Sequence, residues 1–241
     1  MLEKFQNLEA LNERTAKLFI QIANEAISEK GRFTVALTGG SSPNGLYKLL
    51  AEDENSRKID WSKVFVFWGD ERWVPLHSEQ SNAGAAFKAL LNQLPVPKDQ
   101  IFPMFKEGVS PEAYAKTYES LLEAHLEDSK HFDLILLGMG DDGHTASLFP
   151  GEAVLEEKEK KVDAYFLKSQ DMYRVTLTAP LINEGKNIIF LVFGEKKMDA
   201  LYQVLEGNET YHKFPTKLIK PKSGKIYLMV DQMAASKLKK H

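Results

Sequence analysis

The chain contains no cysteine, which excludes a disulfide framework, a cysteine-ligated zinc and a thiol nucleophile. A chain without disulfides fits a reducing compartment, and a cytoplasmic location is the expectation. No stretch approaches the ~18 consecutive apolar residues of a membrane-spanning helix, so no membrane association is expected. The N-terminus, MLEKFQNLEALNERTAKLF, carries acids and lacks an apolar run with a cleavage site, so it does not read as a signal peptide. A basic excess is also missing. The formal net charge is -3, and the basic run at the C-terminal end is short: Lys237, Lys239 and Lys240. Proteins that bind duplex nucleic acid usually show a basic stripe, so no nucleic-acid partner is expected and the tail reads as a solvated helix end.

Several catalytic motifs are absent as well. There is no GxxxxGK[ST] loop for a nucleoside triphosphate and no GxGxxG fingerprint for a dinucleotide. There is no GxSxG elbow for a serine hydrolase, and no HExxH or spaced second histidine for zinc. Neither a metal nor an organic cofactor is expected. What remains is an ordinary globular composition: 241 residues, 43% hydrophobic and 27% charged. A compact chain of this length buries about 70–75% of its unfolded surface, and one domain over residues 1–241 is the default.

Apolar spacing places an amphipathic helix over residues 7–29, through Leu8, Leu11, Leu18, Ile22 and Ala26. A strand from Phe33 to Thr38 then runs into Gly39-Gly40, with Ser42 read as an N-cap and Pro43 as a first-turn proline. Val64–Trp68 is a buried-type strand, Asn82–Leu94 and Pro111–Glu127 are helices, and Leu134–Leu137 is a strand. Val175–Thr178, Ile188–Phe193 and Ile226–Val230 are further strands; Pro180 starts a short helix, Lys196–Leu205 forms another, and a short helix closes the chain. Residues 152–161, EAVLEEKEKK, read as an exposed helix or loop. The alternation predicts an α/β fold, Rossmann-like, with a mostly parallel sheet and helices on both faces.

Ligands bind beyond the carboxyl ends of strands in such sheets, and four strand exits here are polar: Thr38–Ser42, Gly69–Arg72, Gly138–Thr145 and Gly194–Lys197. Gly39 and Gly40 precede a helix start and suit an anion such as phosphate, although a tight turn before a capped helix explains the same residues. Arg72 offers a planar fork for phosphate or carboxylate. Asp70 can position water or a sugar hydroxyl, or hold Arg72; a surface ion pair is the plainer alternative. In GMGDDGHTASLFP, residues 138–150, an imidazole sits beside carboxylates at a predicted helix start. His144 is therefore the candidate general base. Asp142 can orient its ring, Asp141 is expected only to cap, and Ser147 is expected to face helix packing. The remaining histidines lack such a setting.

Six segments in order, TGGSSPNGLY (38–47), GDERWVP (69–75), SEQSNAG (78–84), GMGDDGHTASLFPG (138–151), RVTLTAPLIN (174–183) and FGEKK (193–197), resemble the 6-phosphogluconolactonase family across nearly the whole chain. The resemblance implies a Rossmann-like α/β domain that hydrolyses 6-phospho-D-glucono-1,5-lactone to 6-phospho-D-gluconate, a step of the oxidative pentose phosphate pathway. It implies His144 as the base that activates water, with Asp142 supporting it. It further implies Gly39, Gly40 and Ser41 lining the phosphate or sugar site, Arg72 holding the phosphate with Lys197 and Arg174, and Asp70 and Asn82 shaping the site. The partner is then a small sugar-phosphate lactone, and a monomer or weak homo-oligomer is expected.

The related glucosamine-6-phosphate isomerase/deaminases share similar motifs, but Arg72 after the acid pair and the SLFP ending of residues 147–150 favour the lactonase. An isomerase/deaminase would use Asp70 on C2 and His144 on the ring oxygen. A sugar-phosphate sensor without catalysis is a second alternative, and no helix-turn-helix or basic patch accompanies it here. One segment departs from the family: Lys168–Tyr173 stands where a Ser-Pro-Lys-Pro-like run is usual. The Gly-x-x-Lys spacing selects Lys197 over Lys196.

Overall fold

The structure, a computed structural model, describes residues 1–40, 42–126 and 131–239. The chain opens with β1 (Leu2–Phe5), α1 (Leu8–Lys30), β2 (Phe33–Leu37), α2 (Asn44–Ala51), α3 (Asp53–Ser56), β3 (Val64–Trp68) and β4 (Asp70–Arg72). It continues through α4 (Asn82–Ala89), α5 (Pro111–Leu126), β5 (Leu134–Gly138), β6 (Val162–Leu167) and β7 (Met172–Leu177). It ends with α6 (Ala179–Ile182), β8 (Asn187–Val192), α7 (Met198–Leu205) and β9 (Lys225–Asp231).

Local chemistry explains the boundaries of α1. The Asn7 side chain accepts the Ala10 N–H at 2.9 Å, which satisfies one of the helix's free donors. Gly31 stops the helix in the left-handed conformation, φ 77°, and returns its N–H to the Ile27 carbonyl. Between these caps Leu11, Phe19, Ile22, Ala23 and Ala26 bury one stripe against the core.

Two sheets form. β1-β9-β8-β5-β2-β3 is a six-stranded sheet, parallel throughout. Every residue of β2 and of β8 is buried, as expected where both faces of a parallel sheet are covered. The α/β reading therefore holds. From β2 the chain passes outward to β3 and then returns to the other side of β2 as β5, so strand order reverses between β2 and β5. A crevice opens beyond the carboxyl ends at such a reversal.

The second sheet, β4-β7-β6, is antiparallel. Sequence patterning missed it, along with β1 and β6. The run Asp70–Arg72 is a strand of this small sheet and not a plain loop, with Arg72 opposite Arg174 in register. Gly69 joins the two sheets: its N–H donates to the Leu37 carbonyl at 2.8 Å and its carbonyl accepts from Leu177 at 2.8 Å. That link places Asp70, Arg72 and Arg174 over the end of β2.

Other expectations are corrected. Pro43, not Ser42, stands at the cap position of α2, with no side-chain cap. The predicted helix 82–94 breaks after Ala89 into a 3₁₀ turn, Leu91–Gln93. No helix begins at His144, and the tail after β9 forms turns up to residue 238. Ala153–Glu156 is a 3₁₀ turn that buries Val154 and Leu155. Among the described residues, no helix is long and apolar enough to cross a membrane.

Candidate active site

Thr38, Gly39 and Gly40 leave β2, Gly138 to Ala146 leave β5, and both segments enter one cleft of about 210 Å³. Ser42, Asp70, Arg72, Asn82, Phe149, Gln170, Arg174 and Lys197 complete its lining. Nine expected site residues thus converge or stand one contact away; Asp142 is the one that reaches the cleft only through its partner. Ser41 lies outside the described residues.

The loop after β5 folds on itself. Gly140 N–H donates to the His144 carbonyl at 2.8 Å and Gly143 N–H to the Gly140 carbonyl at 3.0 Å. Gly143 has φ 76°, a left-handed conformation suited to glycine, and its carbonyl accepts from the backbone N–H and hydroxyl of Thr216. Ala146 carries φ 48° without that freedom, a strained turn directly between His144 and Ser147. Thr145 Oγ1 ties the loop back to the Gly138 carbonyl at 2.8 Å. These bonds explain why turns replace the predicted helix.

Within this loop His144 Nδ1 meets Asp142 Oδ1 at 2.6 Å, and the His144 backbone N–H donates to the same oxygen at 3.0 Å. Burial works to raise the Asp142 pKa, but the bonds from His144 and its charge outweigh that, and the carboxyl lies below the ordinary range. An ionised carboxylate can only accept, so Nδ1 carries a proton, and in the neutral form of the ring Nε2 then presents its lone pair. Nε2 has no hydrogen-bond partner among the described residues, and His144 lines the cleft with its side chain 28% exposed. Phe149 stacks on the imidazole, ring centres 4.0 Å apart, and the Arg174 guanidinium lies 5.4 Å from the same Phe149 ring. The ring is therefore held at one edge and one face.

Asp70 does not hold Arg72. Its carboxylate accepts from Ser147 Oγ at 2.6 Å and Asn82 Nδ2 at 3.3 Å, and pairs with Arg174 Nη1 at 3.6 Å, all buried. Ser147, expected to face helix packing, is thus part of this network. Its carbonyl also accepts from the Tyr165 hydroxyl at 2.6 Å. Burial lowers the Arg174 pKa, although Asp70 opposes the shift. Arg174 Nη2 donates to Gln170 Oε1, which brings the atypical 168–171 turn into the site.

Arg72 donates through Nη1 to the Gln80 carbonyl at 2.9 Å and has no carboxylate partner among the described residues. The neighbouring Glu71 is buried and caps the start of α4. It accepts the backbone N–H groups of Arg72, Asn82 and Ala83 at 2.7–2.8 Å and the Ser81 hydroxyl at 3.0 Å. Burial pushes its carboxyl up to about 7 against those four donors. Lys197 lines the cleft, whereas Lys196 does not. Asp141, expected only to cap, pairs with Lys197 at 2.5 Å.

Ser147, Gln170 and Phe149 were missed as site residues. The first is brought to Asp70 across 77 positions, a distance at which local patterning carries no signal. Phe149 lies within the GHTASLFP run, so its proximity to His144 was the available clue.

A family model described as glucosamine-6-phosphate isomerases/6-phosphogluconolactonase matches residues 6–228. A Synechocystis protein named 6-phosphogluconolactonase is 37% identical over 237 residues, 97% of this chain and 96% of that protein. One of the same name from Chlamydia pneumoniae is 41% identical over 196 residues, 80% of this chain and 74% of that protein. The solved 6-phosphogluconolactonase of Trypanosoma brucei superposes with TM-score 0.87 at 25% identity, covering 99% of this chain and 98% of that one. A monomeric glucosamine-6-phosphate deaminase superposes with TM-score 0.83 at 21% identity over 98% of each chain, a likeness of fold alone. The chain belongs to the glucosamine-6-phosphate isomerase/6-phosphogluconolactonase family.

Proposed function

We propose that the chain is a 6-phosphogluconolactonase that opens 6-phospho-D-glucono-1,5-lactone to 6-phospho-D-gluconate, within the oxidative pentose phosphate pathway, with His144 as general base. The observation that carries this reading is the pairing of His144 Nδ1 with Asp142, which leaves Nε2 unpartnered in a cleft also lined by Arg72, Arg174 and Lys197.

The 6-phosphate docks against Arg72 and Lys197, and the Gly39-Gly40 turn lines the site beside them. His144 Nε2 takes a proton from water while the oxygen attacks the lactone carbonyl carbon. The tetrahedral intermediate then collapses, the bond to the ring oxygen breaks, and the imidazolium returns its proton to the departing hydroxyl. Of the two candidate glycine pairs, the N–H groups of Gly140 and Gly143 are spent inside their loop. Gly39 and Gly40 have no backbone partner among the described residues, and they supply the donors for developing negative charge. A δ-lactone is already reactive, so a positioned base suffices and no covalent intermediate is needed.

Asp70 favours hydrolysis over isomerisation. A base for C2 needs a free carboxylate, whereas Asp70 is engaged by Ser147, Asn82 and Arg174. Its role here is to hold Arg174 and Asn82 in place. The test is a coupled assay in which glucose-6-phosphate dehydrogenase generates the lactone and acid release is followed with and without the protein. Ammonia release from glucosamine 6-phosphate is measured in parallel. Accelerated acid release without ammonia is expected; the reverse pattern refutes the lactonase.

A further inference from the structure

The cleft's three cations are not equally available. Arg174 is tied to Asp70, Lys197 is tied to Asp141, and only Arg72 lacks a carboxylate partner among the described residues. The Arg174 pair is buried on both sides, with side-chain exposures of 4% and 8%, so it belongs to the framework. The Lys197 pair differs. Asp141 is 55% exposed and Lys197 23% exposed, so this link is solvated and can open.

Topology sets the pair. β5 and β8 are hydrogen-bonded neighbours, so the loop carrying Asp141 and the 3₁₀ turn Glu195–Lys197 leave the same end of the sheet side by side. Asp141 adjoins Asp142 yet points to a different partner: Asp142 takes the imidazole, Asp141 the ammonium. Among the described residues Asp141 makes no hydrogen bond or ion pair with the base, and Lys197 has no other carboxylate partner.

We infer that Asp141 is a positioning residue that tunes phosphate affinity by competing with the substrate's anionic group for Lys197. An incoming phosphate meets Arg72 first and must draw Lys197 away from Asp141. The pair keeps the ammonium at the rim when the cleft is empty, and it speeds product departure by reclaiming Lys197. Removing the carboxylate leaves the ammonium uncompensated and removes one negative charge beside the docking anion. Both changes act in the same direction.

This inference rests on Lys197 holding the phosphate, so the experiment separates the two claims. Binding of inorganic phosphate and of 6-phosphogluconate is measured by titration calorimetry for the wild type, Asp141→Asn, Lys197→Ala and the double variant. Asp141→Asn should bind both ligands about two- to fivefold more tightly, the range spanned by exposed ion pairs. The gain should shrink at 0.5 M salt and fall in the Lys197→Ala background to the smaller part that direct charge removal alone supplies. Affinity for unphosphorylated gluconate should not change. If Lys197→Ala alone leaves phosphate affinity intact, the phosphate role of Lys197 fails. If Lys197→Ala weakens binding but Asp141→Asn is neutral or also weakens it, competition by Asp141 is refuted.

Discussion

Replacing Gly140 by alanine should disable the imidazole without unfolding the protein. Gly140 lies outside the left-handed region, so its backbone accepts a side chain. The obstacle is the dyad itself. An added Cβ would stand 2.1 Å from His144 Nδ1, 2.3 Å from Cε1 and 2.5 Å from Asp142 Oδ1. The Nδ1 contact is more than 1 Å short of the 3.4 Å at which ordinary contact begins. The imidazole and carboxylate must therefore separate or swing together, and the 2.6 Å bond that sets the tautomer is lost. A misplacement of about 1 Å costs roughly 10²-fold in rate, and complete loss of a general base costs about 10²–10⁴-fold. Gly140→Ala should fall in kcat by about 10²–10³-fold. Its melting temperature should change little, because both dyad side chains are partly exposed and can move into solvent. The coupled lactone assay gives the rate. Since both changes act through one imidazole, Gly140→Ala combined with His144→Ala should be no slower than His144→Ala alone. Near wild-type kcat, or fully additive losses, would refute the reasoning.

Other expectations follow from the same geometry. Arg72→Met should raise KM for the phosphorylated lactone by roughly 10–150-fold, matching the ~1.5–3 kcal/mol of a hydrogen bond to a charged group. The same variant should leave hydrolysis of unphosphorylated gluconolactone unchanged in side-by-side kinetics. Burial raises Glu71 to about 7, so the folded state binds more protons than the unfolded state from about pH 4.5 up to that value. Its contribution is present in full below that window and is lost as pH rises through it, by up to about 3 kcal/mol. Urea denaturation between pH 4.5 and 7.5 should show this slope in the wild type and a flatter one in Glu71→Gln. Glu71→Ala orphans buried donors at the start of α4, so it should cost most near pH 4.5 and up to about 3 kcal/mol less near pH 7.5. Calorimetric melting temperature checks it.

Much of the parallel sheet was legible because its strands are short apolar runs that end in glycine. Phe33–Leu37 and Leu134–Gly138 announce both their burial and their polar exits. β1 was not legible: its four residues, LEKF, show no buried face, and they pair as an edge with β9 at the far end of the chain. β6 was hidden for a similar reason, since VDAYFL holds its position by pairing with β7 and not by its own pattern. In the site, Asp142 and His144 were readable because they are two residues apart. The partners of Asp70 were not, because Arg174 and Ser147 arrive from distant segments through the second sheet. Arg72 was wrongly offered as a partner for Asp70 by sequence adjacency. Neighbouring residues of a strand point to opposite faces, but Asp70 and Arg72 share a face, and there the longer Arg72 side chain reaches Gln80 instead.

The central claim is tested most directly by His144→Asn, with single-turnover lactone hydrolysis and 6-phosphogluconate affinity measured on the same preparation. Hydrolysis should slow by at least about 10²-fold while product affinity stays within a few-fold of wild type. A hydrolysis rate close to wild type would contradict the assignment of this imidazole as the base.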